Sequence, residues 1–159
     1  MMSKYGARGL AGMGVLLALA LSSAGRAESL LVTTAQEAVA AVRRAQPGDE
    51  IILAEGEYKD FALTLAAKGQ AEKPVRLRPA KPGAAILTGS PRLEITGAFV
   101  EIEGLVFRDC TLAAGTRGAV VFNGSRRSRL TDCTFENSIL PRGAALVTFR
   151  NGAHDNLVD

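Results

Sequence analysis

The sequence is poor in the residues on which most protein chemistry relies. It holds one histidine, His154, and two cysteines, Cys110 and Cys133. Two cysteines do not make a structural zinc site, which takes four nitrogen or sulfur ligands. No serine stands in a Gly-x-Ser-x-Gly frame and no glycine-rich phosphate loop is present, so the usual marks of serine hydrolases and nucleotide binders are missing. Leu10–Leu21 is an uncharged, mostly apolar run of 12 residues. That is shorter than the about 20 residues an ordinary membrane-spanning helix needs.

That run has flanks of its own. Lys4 and Arg8 precede it, and Gly25-Arg26-Ala27 places small residues at the third and first positions before Glu28. This is the pattern of a secretory signal peptide over residues 1–27, which predicts a secreted or periplasmic protein with no membrane contact after cleavage. The alternative is an uncleaved membrane anchor. The leader carries Lys4, Arg8 and Arg26 and no acid, so 16 of the 19 basic residues remain afterwards, against 16 acidic ones. With net charge near zero, nothing points to a nucleic acid or an anionic membrane. An exported protein can form disulfides. Cys133, however, lies in the strand-like Leu130-Thr-Asp-Cys-Thr-Phe135, and Cys110 follows Phe107 by three, so two buried free thiols are expected.

What is present is one helix followed by short strands and turns. Thr34-Ala-Gln-Glu37 has the capping-box spacing, with Thr34 as N-cap. Ala35, Ala38, Val39 and Val42 then share a helical face that ends near Gln46, where Pro47 and Gly48 stop the helix. A helix this short is marginal in water and must dock. The stretch from Ala45 to Tyr58 follows it, with Ile51 and Leu53 on one face of a strand.

From Ile51 the chain repeats. Ile51/Leu53, Val75/Leu77 and Val100/Ile102 form alternating apolar pairs, and Leu130 and Leu157 continue the column. Phe107 with Phe135, Phe122 with Phe149, and Asn123-Gly with Asn151-Gly recur at a similar spacing. A period of about 24–28 residues, punctuated by Gly, Asn, Asp and Pro, reads as one solenoid coil per period. A leucine-rich repeat has a similar period but requires a Leu-x-x-Leu-x-Leu pattern that is missing. A sandwich of short strands leaves the recurring columns unexplained. The expected fold is therefore all-β, a parallel β-helix with an N-terminal capping helix and about four coils, over residues 28–159. The column stops at Leu157-Val-Asp159 in mid-coil, and a solenoid needs a cap over its last layer. The expectation is an incomplete domain, the N-terminal part of a longer one.

Pro47-Gly-Asp-x-Ile-x-Leu-x-x-Gly-x-Tyr58 resembles the opening of right-handed parallel β-helix proteins that act on polysaccharides. Val75-Arg-Leu-Arg-Pro-Ala80 and Val100-Glu-Ile-Glu-Gly-Leu-Val-Phe-Arg-Asp109 extend the likeness to polysaccharide lyase family six, the alginate lyase and chondroitinase B type. The resemblance covers about residues 30–159. It implies a parent enzyme that cleaves an anionic, uronate-containing polysaccharide by β-elimination. It also implies Ca²⁺ held by acidic and Asn ligands, with a lysine base and an arginine acid in central coils. None of those motifs maps onto a residue here, so no catalytic or metal-ligating residue is assigned and the fragment itself is expected to be inactive. The alternative is a non-catalytic β-helix module that binds carbohydrate or a cell surface.

Some local features invite a site. Glu101 and Glu103 put two carboxylates on one strand face, a start for a Ca²⁺ site, with Arg108 the nearest basic residue. Ser125-Arg-Arg-Ser-Arg129 gathers three guanidiniums at a turn, a group that suits a uronate carboxylate. Each has a plainer reading as solvated surface. Asn123 and Asn151 read as turn residues that stack in an internal ladder, and His154 as a surface turn residue.

Overall fold

The computed structural model describes residues 26–159. The leader expected over 1–27 therefore lies, as far as residue 25, outside the described residues. Strand β1 (Ser29–Val32) precedes the helix α1 (Ala35–Arg44). The Thr34 hydroxyl accepts the Glu37 amide, and the Glu37 carboxylate accepts the Thr34 amide in return, so the capping box forms. Ala38, Ala41 and Val42 are buried, while Ala35 and Val39 sit at the margin. Ala45 leaves helical geometry with ψ 131°. The helix is thus slightly shorter than expected, because Pro47 disfavours the helical region at Gln46 and the chain turns before it.

After α1 each coil contributes three strands. The first coil is β2 (Glu50–Leu53), β3 (Gly56–Lys59) and β4 (Ala62–Leu65). The second is β5 (Val75–Pro79), β6 (Ala85–Gly89) and β7 (Arg92–Ile95). The third is β8 (Val100–Glu103), β9 (Val106–Cys110) and β10 (Val120–Asn123). The fourth is β11 (Arg129–Thr131), β12 (Thr134–Glu136) and β13 (Val147–Arg150), and β14 (Leu157–Val158) begins a fifth. Like strands stack into three parallel sheets, ordered β1-β2-β5-β8-β11-β14, β3-β6-β9-β12 and β4-β7-β10-β13. This is the parallel β-helix that the period predicts. β1 adds one strand below the first coil, and α1 packs across β1, β2 and β4.

The core is the column of inward side chains. Leu30, Ile51, Leu77, Ile102, Leu130 and Val158 are level with one another in the first sheet, and Val32, Leu53 and Pro79 form a second column. Two sequence pairings shift. Ile51 is level with Leu77 rather than Val75, and Leu130 with Val158 rather than Leu157, which falls on the outward side; both end residues are exposed. Phe107 and Phe135 pair as expected, and so do Phe122 and Phe149.

The corners are built from left-handed residues stacked coil upon coil. Phe99, Arg127 and Asp155 have φ of 52°, 49° and 55°, and they follow Ala98, Arg126 and His154, which bridge one another in parallel. A single left-handed residue reverses the chain sharply. The Asn-Gly repeat falls slightly out of phase for this reason. Arg150 is level with Asn123, so Asn151 (φ 52°) takes the left-handed place that Gly124 (φ 66°) holds one coil earlier.

Candidate functional site

Polar chemistry concentrates on the outer face of the first sheet. Residues alternate in and out along each strand, so Glu50, Arg76, Glu101 and Arg129 make one outward column, in that order. Arg78 and Glu103 stand two residues further along. Together with Thr131 and Asp132 they line an open groove of about 470 Å³. A larger concavity, about 960 Å³, lies between α1 and β4, but it is lined mainly by small and apolar residues.

The column alternates in sign, and its members are engaged with one another. Arg76 Nε donates to Glu101 Oε2 at 2.7 Å, and its Nη1 lies 3.9 Å from Glu50 Oε1. Arg78 Nη2 donates to Glu50 Oε2 at 2.8 Å. That hydrogen bond holds the Glu50 carboxyl below the usual carboxylate range, and the bond to Glu101 raises the Arg76 guanidinium further. Arg129 donates through Nε to Asp159 at 3.0 Å and pairs with the same carboxylate through Nη2.

The expected acidic pair is therefore present on one face, but its surroundings do not suit Ca²⁺. Glu101 spends an oxygen on Arg76, and among the described residues no three His, Cys, Asp or Glu side chains converge on a point. A calcium ion takes six to eight oxygens, so these residues do not fit it. The nearest basic residue in sequence, Arg108, lies in another sheet and pairs with Glu136 at 2.8 Å. The spatial neighbour Arg76 was overlooked from sequence. Its signal was the likeness of Val75-Arg-Leu-Arg to Val100-Glu-Ile-Glu one coil later.

The arginine turn does not form a cluster. Arg127 lies over the Phe99 ring, 5.7 Å from its centroid, with Asp155 3.8 Å away. Arg129 belongs to the outward column, and Arg126 is exposed at the corner. What the sequence reading passed over is the pair of serines between them. Ser125 and Ser128 are buried, and both meet the Asn156 side chain. Asn156 Oδ1 accepts the Ser128 amide at 3.0 Å, Asn156 Nδ2 donates to the Ser125 carbonyl at 3.1 Å, and Ser128 Oγ accepts the Val100 amide at 3.2 Å. Buried polar atoms require such partners, so this turn is a structural knot joining the third, fourth and fifth coils.

The remaining candidates are also placed structurally. Asn151 Nδ2 donates to Asn123 Oδ1 at 2.5 Å, and Asn123 Nδ2 to Glu94 Oε1 at 2.6 Å. The ladder exists, but on the outer face of the third sheet and not inside. His154 is exposed, with Nδ1 2.9 Å from the Gly152 carbonyl. Cys110 and Cys133 are free thiols, one buried and one half-buried. Burial pushes the Cys133 thiol up to about 11.

Residues 32–139 match the family model described as Chondroitinase B. Among solved structures, a variant of the PL6 family alginate lyase AlyGC is similar, with TM-score 0.71 and 33% identity over 76% of this chain and 18% of that one. AlyGC itself gives TM-score 0.63 and 36% identity over 67% of this chain and 15% of that one. The PL6 family polysaccharide lyase Pedsa3628 from Pseudopedobacter saltans gives TM-score 0.58 and 23% identity over 81% of this chain and 36% of that one, a likeness of fold. No curated protein matches. The chain spans less than a fifth of the length of either alginate lyase structure.

Proposed function

The chain belongs to the Chondroitinase B family of polysaccharide lyases, and from that membership we propose that it supplies the N-terminal cap and first coils of an exported lyase that cleaves a uronate-containing polysaccharide by β-elimination. The observation that carries the reading is the family match over residues 32–139, joined to 33% identity with a structure named as an alginate lyase, of which this chain spans 18%.

On that reading, the chemistry says what coils outside this chain would provide. The proton at C5 of a uronate is weakly acidic, and its removal loads negative charge onto the neighbouring carboxylate. A positive group has to neutralise that carboxylate, a base has to take the proton, and an acid has to assist the departing oxygen at C4. In this chain Glu101 and Glu50 are committed to arginines, and Arg127 and Arg129 to aspartates. These groups hold coils together, so we assign the fragment a scaffold role and place the eliminating groups, and any Ca²⁺, in further coils of the same enzyme.

The test is an assay of residues 28–159 on alginate and on dermatan, with Ca²⁺, for unsaturated uronate ends. No product is expected. The same assay on the protein encoded by the uninterrupted reading frame, if that frame continues, should give product. Calcium-dependent product from 28–159 alone would overturn the scaffold reading and return Glu101, Glu103 and Arg126 as a site. A continuing frame whose product binds the polymer without cutting it would favour a non-catalytic module.

A further inference from the structure

Asp49, in the Pro47-Gly48-Asp49 turn, is the one buried carboxylate among the described residues, with 4% of its surface exposed. It forms no ion pair among the described residues. Its two oxygens are held by backbone amides only. Oδ2 accepts the Gln46 amide at 2.8 Å, which closes the end of α1, and Oδ1 accepts the Glu28 amide at 2.9 Å. The Glu28 carbonyl in turn accepts the Glu50 amide at 2.8 Å. Burying a carboxylate without a counter-charge is costly, so this site is electrostatically incomplete. Yet the atom on Oδ1 is the nitrogen of the residue that directly follows the expected leader cleavage point.

We propose that Asp49 is the binding site for the α-ammonium created at Glu28 when the leader is removed, so that processing completes the cap of the β-helix. The inference rests on cleavage after Ala27, part of the export reading above. Hydrolysis of the Ala27–Glu28 peptide bond consumes one water. It leaves a carboxylate on Ala27 and an amine on Glu28, which is protonated below its ordinary value of about 7.7–8.0. The nitrogen already sits 2.9 Å from Asp49 Oδ1. Its conversion from amide to ammonium turns a neutral donor into a charge-assisted one without moving the chain. The cleavage point itself lies against this turn. A side chain starting at Gly48 would meet the Ala27 Cβ at 3.3 Å and the Lys73 Cβ at 3.6 Å. One carboxylate then ties together the mature N-terminus, the end of α1 and the start of β2.

The readout is the pH profile with which the Glu28 amine reacts with an acylating reagent, followed by mass spectrometry of the N-terminal peptide. The charged groups around the site are Asp49, the Glu28 carboxylate, Lys73 and Glu50, which accepts the Ser29 hydroxyl at 3.3 Å and is paired with Arg78. Pairing with Asp49 stabilises the ammonium. The midpoint in the folded chain beginning at Glu28 should lie above the ordinary range, and a midpoint one pH unit higher slows labelling near pH 7 about tenfold. It should return to the ordinary range in guanidinium, in Asp49→Asn, and in a chain that keeps Ala27 as its first residue. This last chain retains the amide bond to Asp49, so it decides the matter even if Asp49→Asn does not fold. An ordinary midpoint in the folded Glu28 chain, or an equal rise with Ala27 retained, overturns the proposal. N-terminal sequencing of the exported protein separately tests cleavage. A different start would sink the export reading's boundary while leaving the titration of the Glu28 chain interpretable.

Discussion

Phe107 and Phe135 lie flat on one another, ring centroids 4.6 Å apart and planes 14° apart, in directly paired positions of consecutive coils. Phe107 is fully buried, whereas Phe135, one coil later, is half-buried. Phe107→Ala removes a buried ring from a close-packed layer and should cost about 3–5 kcal/mol. Phe135→Ala should cost clearly less, since part of its ring already meets water. Denaturant melts of both variants check this. Equal losses would mean that both rings are buried alike in solution.

The outward column Glu50, Arg76, Glu101 and Arg129 alternates charge at successive strand positions. Like charges directly opposite each other across strands are destabilising, and opposite ones help modestly. Arg76→Ala should therefore cost no more than about 1 kcal/mol, as partly exposed pairs do. Arg76→Glu should cost more, because three carboxylates then stand in a row, and added salt should recover part of the loss. The exchange Arg76→Glu with Glu101→Arg should recover little, because it restores the pairing of 76 with 101 but sets the new guanidinium at 101 beside Arg129. On the acid side, Glu50 is held below its ordinary 4.5 by its bond to Arg78. Its contribution is present above that value and is lost as pH falls through the lowered one. Arg78→Ala should flatten the acid limb of the stability curve.

The column also shows where sequence reading stops. The helix, its capping box, the Pro47-Gly48 stop and the coil period were legible because each depends on residues close together or on repeated apolar positions. The register was not fully legible. An alternating pattern keeps the same faces when it slips by two residues, so Ile51 matches Val75 as well as Leu77 on apolarity alone. Loop length settles which is level, and the pairing is with Leu77. A one-residue difference at the end has the opposite effect, setting Val158 level with the inner column and Leu157 level with the outward Arg129, both side chains being exposed. The Glu101 and Glu103 face was readable, but their guanidinium partner required the register. The serine pair at 125 and 128 was hidden for another reason. Their partner Asn156 lies a full coil away.

Cys133 gives a prediction at alkaline pH. Burial raises its thiol from 9.0 to about 11, so the folded state keeps the proton longer than the unfolded chain does. The sign follows from linkage. Its contribution to stability is complete below about 9, and falls as pH rises toward about 11, since only the unfolded chain ionises in that window. Cys133→Ser should reduce this alkaline slope in denaturant melts. Burial raises Cys110 and Tyr58 as well, so some slope should remain. The same protonated state predicts slow reaction of Cys133 with thiol reagents at pH 8 in the folded protein, and fast reaction after unfolding. A fast native reaction would show that the thiol is open to solvent.

Gly97 tests the corner between the third sheet and the first. Its φ is not in the left-handed region, so backbone preference does not require glycine there. Space does. A Cβ at this position would lie 1.9 Å from the Ala67 carbonyl oxygen of the coil below, an impossible approach to backbone that cannot rotate away. The Gly97 amide also donates to the Leu65 carbonyl at 3.0 Å, and the Gly97 carbonyl accepts the Arg126 amide at 3.2 Å from the coil above. Moving Gly97 outward to make room would stretch both bonds, one on each side of the layer. Gly97→Ala should therefore cost several times as much as Gly115→Ala. At Gly115 no atom lies within 4 Å, and the expected loss is the roughly 1 kcal/mol set by its φ of 84°. Comparing the two variants by denaturant melts separates steric crowding from conformational strain. Equal effects would mean that the coils at Gly97 stand further apart than the stacked corner allows.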